Sequence, residues 1–166
     1  ENVLVTRVHP EYILFENLPG IEKVEDITPQ FWENRMEQMV NFEKHISLNG
    51  TKVLKFYFHM SKDEQRERLL KRLENPEDNW KFSTGDLKER ALWDDYMKYY
   101  EEAINKTSTD FAPWYIIPAD DKGVARYIVA KIIWEEMEKL TDIAEPELDP
   151  KVKANIEEYR TQLKKM

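Results

Sequence analysis

The sequence of 166 residues has no cysteine, which removes disulfides, thiolate nucleophiles, zinc fingers and iron–sulfur clusters together and fits a reducing compartment. Glycine is scarce. With only Gly20, Gly50, Gly85 and Gly123, no glycine-rich phosphate loop can be written within these residues. No apolar run approaches the length of a bilayer span, and the first residues lack the basic-then-apolar layout of a secretory signal, so the expectation is a soluble, cytoplasmic protein with no membrane partner. Positive charge is also in short supply. Against 33 Asp+Glu stand 25 Lys+Arg, a net charge of −8, which argues against nucleic acid or an anionic surface as a partner held by the overall field. Any polyanion must be held by a local patch. What is present, 41% hydrophobic and 12% aromatic residues, suffices for one main core.

The run Asn2-Val-Leu-Val-Thr-Arg-Val8, ended by Pro10, reads as a β-strand covered on both faces. Thr28-Pro29 predicts a helix start, with Trp32, Met36, Met39, Val40 and Ile46 at helical spacing and Asn49-Gly50 as its stop. Lys52–Phe58 predicts a second strand, and Ser61-Lys-Asp-Glu64 has the spacing of a capping box that opens a helix over about 62–74, stopped at Asn75-Pro76. A polar loop follows to Gly85, and Ser83 or Gly85 opens a helix over about 86–105. Trp114–Ile117 predicts a third strand. Asp120 is then expected to cap a long helix whose apolar stripe includes Val124, Ile128, Val129, Ile132, Ile133 and Met137. Strands separated by helices imply an α/β fold, a parallel sheet flanked by helices, with ligands beyond the carboxyl ends of the strands. Residues 141–166, with a helix from Asp149-Pro150 to about Lys165, read as a C-terminal helical appendage to residues 1–140.

Few residues offer chemistry by themselves. His9, His45 and His59 show no paired metal-ligand spacing, Ser108 and Thr109 lie in no nucleophile elbow, and the Trp93, Tyr96, Tyr99 and Tyr100 series is the pattern of core packing. The segment Lys62–Arg90 balances cations against acids inside an acidic chain. Arg68 and Arg72 stand four apart on a helix between a strand and a polar loop, so both guanidiniums leave the same face. They suit either a flap that closes over a polyanion through paired hydrogen bonds, or a solvated helix with internal pairs such as Glu64 with Arg68. The order of strand, short turn, helix with Arg-x-x-x-Arg, polar loop and helix is similar to nucleoside-monophosphate kinases, in which such a helix supplies arginines to a lid.

A closer resemblance is carried by Val3-Leu-Val-Thr-Arg-Val-His-Pro10, Phe42-Glu-Lys-His45 with Asn49-Gly-Thr51, Ser61-Lys-Asp-Glu-Gln-Arg-Glu-Arg-Leu69 and Asn79-Trp-Lys-Phe82. Asp86-Leu-Lys-Glu-Arg90, Thr107-Ser-Thr109, and Ala112-Pro-Trp114 with Pro118-Ala-Asp-Asp-Lys122 continue it. In this order, over about residues 1–140, they resemble the family-2 polyphosphate kinases. Gly123 departs from it, standing where many relatives carry a bulky aromatic. The resemblance implies a P-loop-kinase-like sheet with a helical lid over about 62–90, and phosphate transfer between inorganic polyphosphate and adenine nucleotides with magnesium. It also implies that the Walker A and Walker B motifs lie upstream of residue 1. On that expectation the chain is the C-terminal portion of a longer enzyme, the magnesium ligands are mainly in the missing part, the isolated chain is inactive, and the protein assembles as a homo-oligomer.

Position by position, the resemblance assigns Arg68, Arg72, Lys81 and Arg90 to phosphate-chain binding and charge neutralisation during transfer. Arg7 is a further substrate-binding position. Trp80 is placed either to stack on a base or to pack beneath the lid, and Pro118, Ala119 and Asp120 form a nucleotide-side loop. Two other readings stay open: a non-catalytic module that binds polyphosphate or nucleotide, or pairs with a chain supplying the P-loop, and a nucleoside-monophosphate kinase relative.

Overall fold

Among the described residues helices dominate, and the sheet they flank is small and parallel. A computed structural model of the protein describes residues 3–141 and 143–166. The helices are α1 (Val5–Val8), α2 (Pro29–Leu48), α3 (Lys62–Glu74), α4 (Thr84–Ala91), α5 (Trp93–Thr107), α6 (Lys122–Glu138), α7 (Pro150–Ala154) and α8 (Ile156–Lys165), and the strands are β1 (Lys55–His59) and β2 (Trp114–Pro118). The chain divides into two compact units, Glu1–Val129 and Ala130–Met166.

β1 and β2 run parallel in a register that sets Lys55 opposite Trp114 and His59 opposite Pro118. Parallel strands cannot be joined by a tight turn, and α3, α4 and α5 supply the long crossover between them. The pairing continues one step beyond β2, where the Ala119 amide donates to the His59 carbonyl at 3.0 Å. Side chains alternate across the sheet: Phe56 stacks with Tyr115 on one face, while on the other Tyr57 meets Tyr100 of α5 at 4.6 Å between ring centres. The two strands and the parallel order match the α/β expectation.

The expected first strand is not formed. Asn2 lies outside the described residues, and from Val3 the chain turns into α1 and then a 3₁₀ segment, Pro10–Glu16. Tertiary contacts override the β-branched composition here. Val3 is buried with Met36 and Ala103, and the helical turn brings the Arg7 guanidinium over Trp32 and Tyr99 and into a two-pronged pair with Glu102 of α5. An extended segment would have to find strand partners instead.

α2 follows its predicted face, with Trp32 and Met36 buried and Met39 packed against the core. Its Thr28 precedes Pro29 at the first helical position but makes no side-chain cap. Gly50, at φ 88°, takes the left-handed conformation that ends the helix without the clash a Cβ would bring. The helix expected over about 86–105 is instead two, α4 and α5, separated at Leu92. α6 also departs from its predicted stripe, because Ala125 is its buried residue while Val124 and Met137 are exposed.

Candidate phosphate-binding lid and nucleotide-side crevice

Ser61 starts α3 as its spacing predicts, its hydroxyl accepting the Glu64 amide at 3.1 Å. The reciprocal half of the capping box is absent. Glu64 turns to Arg68 instead, at 2.7 Å, and the Ser61 amide donates to Asp120 Oδ1, also at 2.7 Å. That second bond corrects the expected role of Asp120. β2 and its one-residue extension place Asp120 beside the exit of β1, so the cap of α6 falls to Asp121, whose Oδ1 accepts the amides of Gly123 and Val124 at 2.7 and 2.9 Å. A Cβ at Gly123 would stand 3.2 Å from that same oxygen, so a side chain here requires the Asp121 carboxylate to shift slightly. The Ser61 amide holds the Asp120 carboxyl below its ordinary value, with the Arg68 charge a smaller cause.

Arg68 links two cavities. Its side chain lines a cavity of about 310 Å³ with Gln65, Leu69, Arg72, Asp86, Glu89 and Met60. Its guanidinium donates to the carbonyls of Ala119 and Asp120 at 2.7 and 3.2 Å. Those residues, with His59, Ser61, Pro118, Asp121 and Val124, line a second crevice of about 480 Å³ beyond the carboxyl ends of both strands. Arg72, one turn beyond Arg68, faces Asp86 of α4 at 3.7 Å, too far for a hydrogen bond. Arg90 holds the base of α4 to the start of α3, donating to the Lys62 carbonyl at 2.7 Å and to Gln65 Oε1 at 2.8 Å.

Arg68 and Arg72 are therefore brought together in one cavity, and Arg90 borders it through Gln65. Lys81 and Trp80 occupy a separate 3₁₀ turn, Asn79–Lys81, which the Asn79 side chain ties to the end of α3 through the Arg72 and Leu73 carbonyls. Lys81 pairs with Asp78 and lies 5.4 Å from the centre of the Trp80 ring. Trp80 is 79% exposed, which removes the alternative of burial beneath the lid. Arg7 stands elsewhere, between Trp32 and Tyr99, and its structural contacts account for its charge without a ligand.

Sequence reasoning missed the network that fixes Glu89. Its Oε2 accepts from the Tyr96 hydroxyl at 2.6 Å and lies 3.0 Å from His9 Nε2. These bonds lower the Glu89 carboxyl, while Glu89 raises the His9 imidazole above 6.5. Tyr96 lies two turns along the chain from Glu89, but the distance from His9 to Glu89 in sequence left no signal. Among the described residues no three His, Asp or Glu side chains converge to hold a metal ion.

A profile of the family described as Polyphosphate kinase 2 (PPK2) matches residues 15–145. The chain belongs to the polyphosphate kinase 2 family. It is 46% identical over 165 residues to a protein of Rhodopseudomonas palustris named ADP-polyphosphate phosphotransferase, covering 99% of this chain and 56% of that protein. To the AMP/ADP-polyphosphate phosphotransferase of Meiothermus ruber it is 44% identical over 141 residues, 84% of this chain and 51% of that one. The crystal structure of polyphosphate kinase 2 from Arthrobacter aurescens TC1 superposes with a TM-score of 0.77 at 35% identity, covering 93% of this chain and 50% of that chain. The chain thus spans about half the length of these polyphosphate kinase 2 relatives.

Proposed function

We propose that this chain supplies the lid and the nucleotide-side loop of a phosphotransferase acting between inorganic polyphosphate and adenine nucleotides. The observation that carries the reading is the position of Arg68, which lines the arginine cavity with its stem and borders the strand-end crevice with its head. A donor chain lying along Lys81, Arg72 and Arg68 in that order would meet a nucleotide held against Pro118, Ala119 and Asp120 at that junction. The terminal phosphoryl group leaves the polyphosphate, its bridging oxygen keeping the electron pair. An oxygen of the AMP or ADP terminal phosphate forms the new P–O bond, so one product is a chain shorter by one phosphate and the other is ADP or ATP.

Guanidiniums serve this reaction because they stay charged at any working pH and match phosphate oxygens in pairs. Catalysis of phosphoryl transfer is largely positioning and charge neutralisation, which fixed cations provide. Arg90 acts in this reading by holding Gln65 and α3, and Trp80 offers an exposed ring to a base. Arg7 serves by bracing the N-terminal segment on α5. Magnesium, a cytoplasmic setting and a homo-oligomeric assembly belong to the same proposal. Because the 166 residues contain no glycine-rich loop with its lysine, the chain by itself binds polyphosphate and transfers nothing.

The test is polyphosphate-dependent ATP formation from ADP and from AMP by the whole product of the gene, with Arg72→Ala and Lys81→Ala beside it. Activity that falls at least about tenfold in both variants is expected, the loss of a charge-assisted contact each. A whole gene product that binds polyphosphate without making ATP would replace the enzyme reading with a binding module. Phosphate transfer by the 166-residue chain alone would contradict the division of labour.

A further inference from the structure

Three lid cations face carboxylates supplied by the protein itself. Arg68 has Glu64, Arg72 has Asp86, and Lys81 has Asp78. The Arg68 and Lys81 pairs are local, within a turn of chain. Asp86 alone reaches across a cavity, from the first turn of α4 to the last turn of α3. It approaches Arg72 to 3.7 Å without hydrogen bonding, and the two side chains are 42% and 33% exposed, so the arginine is held loosely. The carboxylate itself is held firmly. Its Oδ2 accepts the Ser83 amide at 3.2 Å while the Ser83 hydroxyl accepts the Gly85 amide, a capping arrangement that keeps Asp86 in place whether or not Arg72 stays. Glu89, fixed by Tyr96 and His9, adds a second negative charge to the same wall.

Resting on the reading above that this cavity takes phosphate chains, we propose that Asp86 is a specificity-determining residue, an internal competitor for Arg72 that rejects single phosphates and admits chains. Orthophosphate entering the cavity replaces one anion at Arg72 by another and then sits beside two carboxylates that other bonds hold in place. Its net gain is small. A chain meets the same repulsion once, but every further cation it touches, Lys81 among them, is engaged at high local concentration after the first contact. Discrimination of this kind needs a repulsive element as well as an attractive one, and Asp86 supplies it.

The test measures orthophosphate, tripolyphosphate and long-chain polyphosphate binding by calorimetry at fixed ionic strength. The proteins are the 166-residue chain, Asp86→Asn, Arg72→Gln and the double variant. Asparagine keeps an oxygen for the Ser83 amide, and unchanged thermal melting confirms that α4 keeps its start. Asp86→Asn is expected to tighten orthophosphate and tripolyphosphate by about two- to fivefold, the range of a half-exposed ion pair, and long chains by less. In the Arg72→Gln background the gain should shrink. An unchanged or wider preference for long chains, or an equal gain with and without Arg72, overturns the role of Asp86 while leaving the substrate reading intact. A wild-type chain without affinity for long polyphosphate counts against the substrate reading. If Asp86→Asn then creates no tripolyphosphate binding either, both fall.

Discussion

Two ion pairs in the first unit use the same chemistry to opposite ends. At the start of β1, Lys55 Nζ donates to Glu43 at 2.7 Å and to the Thr107 carbonyl at 2.6 Å, beneath the Trp114 ring, with side chains only 11% and 12% exposed. Between α3 and α4, Arg72 and Asp86 face each other at 3.7 Å with both side chains partly exposed. The buried pair has no alternative to itself, because breaking it strands a charge away from solvent. The Arg72–Asp86 pair can open, since each partner exchanges the other for water at little cost. Burial, more than charge, separates a staple from an exchangeable pair.

The largest expected effect is at the staple. Lys55→Met should destabilise the fold by about 3–5 kcal/mol in urea unfolding, and Lys55→Met with Glu43→Leu should recover most of that loss. Arg72→Met should move the same midpoint by less than about 1 kcal/mol. Similar losses at the two sites would erase the distinction. Arg68 lies between them, at 22% exposure and with three acceptors. Arg68→Ala should cost about 1.5–3 kcal/mol, and Arg68→Lys should restore little, because one ammonium cannot serve Glu64 and two carbonyls at once. A cost equal to that of Arg72 would show that Arg68 is no tie between α3 and β2.

Helix caps give a smaller contrast. Ser61→Ala should cost about 1 kcal/mol, whereas Thr28→Ala, with no cap bond to lose, should leave thermal melting nearly unchanged. The smallest effect is the pH response of the His9–Glu89 contact. His9 is raised from 6.5, so its contribution is fully present below that pH and is lost as pH rises through the higher folded value. Glu89 is lowered from 4.5, so its contribution is present above that pH and is lost as pH falls through the lower folded value. Their link is strongest between, and His9→Gln should flatten the decline in stability above pH 6.5, read as urea midpoints on either side. An unchanged slope would mean that the bond does not stabilise the fold.

Where local chemistry decides, the chain was readable. Ser61 begins α3, Ser83 begins α4, Gly50 ends α2, and the aromatic and branched runs around Phe56 and Tyr115 pair as strands. Where distant partners decide, it was not. Val3–Val8 has the composition of a strand, and its contacts with residues far along the chain, among them Met36, Ala103 and Glu102, accompany a helical turn instead. The same holds at the site. Arg68 and Arg72 were legible from their spacing, but the guanidinium of Arg68 is directed by two carbonyls some fifty residues away, and Asp120 is captured by an amide from a different strand exit. The His9–Glu89–Tyr96 network depends on the same long-range folding.

On the proposed reading, the half-exposed cations Arg72 and Lys81 supply the exchangeable grip on the phosphate chain. Its most direct measurement is a calorimetric titration of long-chain polyphosphate into the 166-residue chain and its Arg72→Gln variant at two salt concentrations. Binding is expected to weaken by about tenfold or more in the variant, with a shallower salt dependence, since one charge-assisted contact and its released counterion are lost. Equal affinities and equal salt slopes in the two proteins would contradict it.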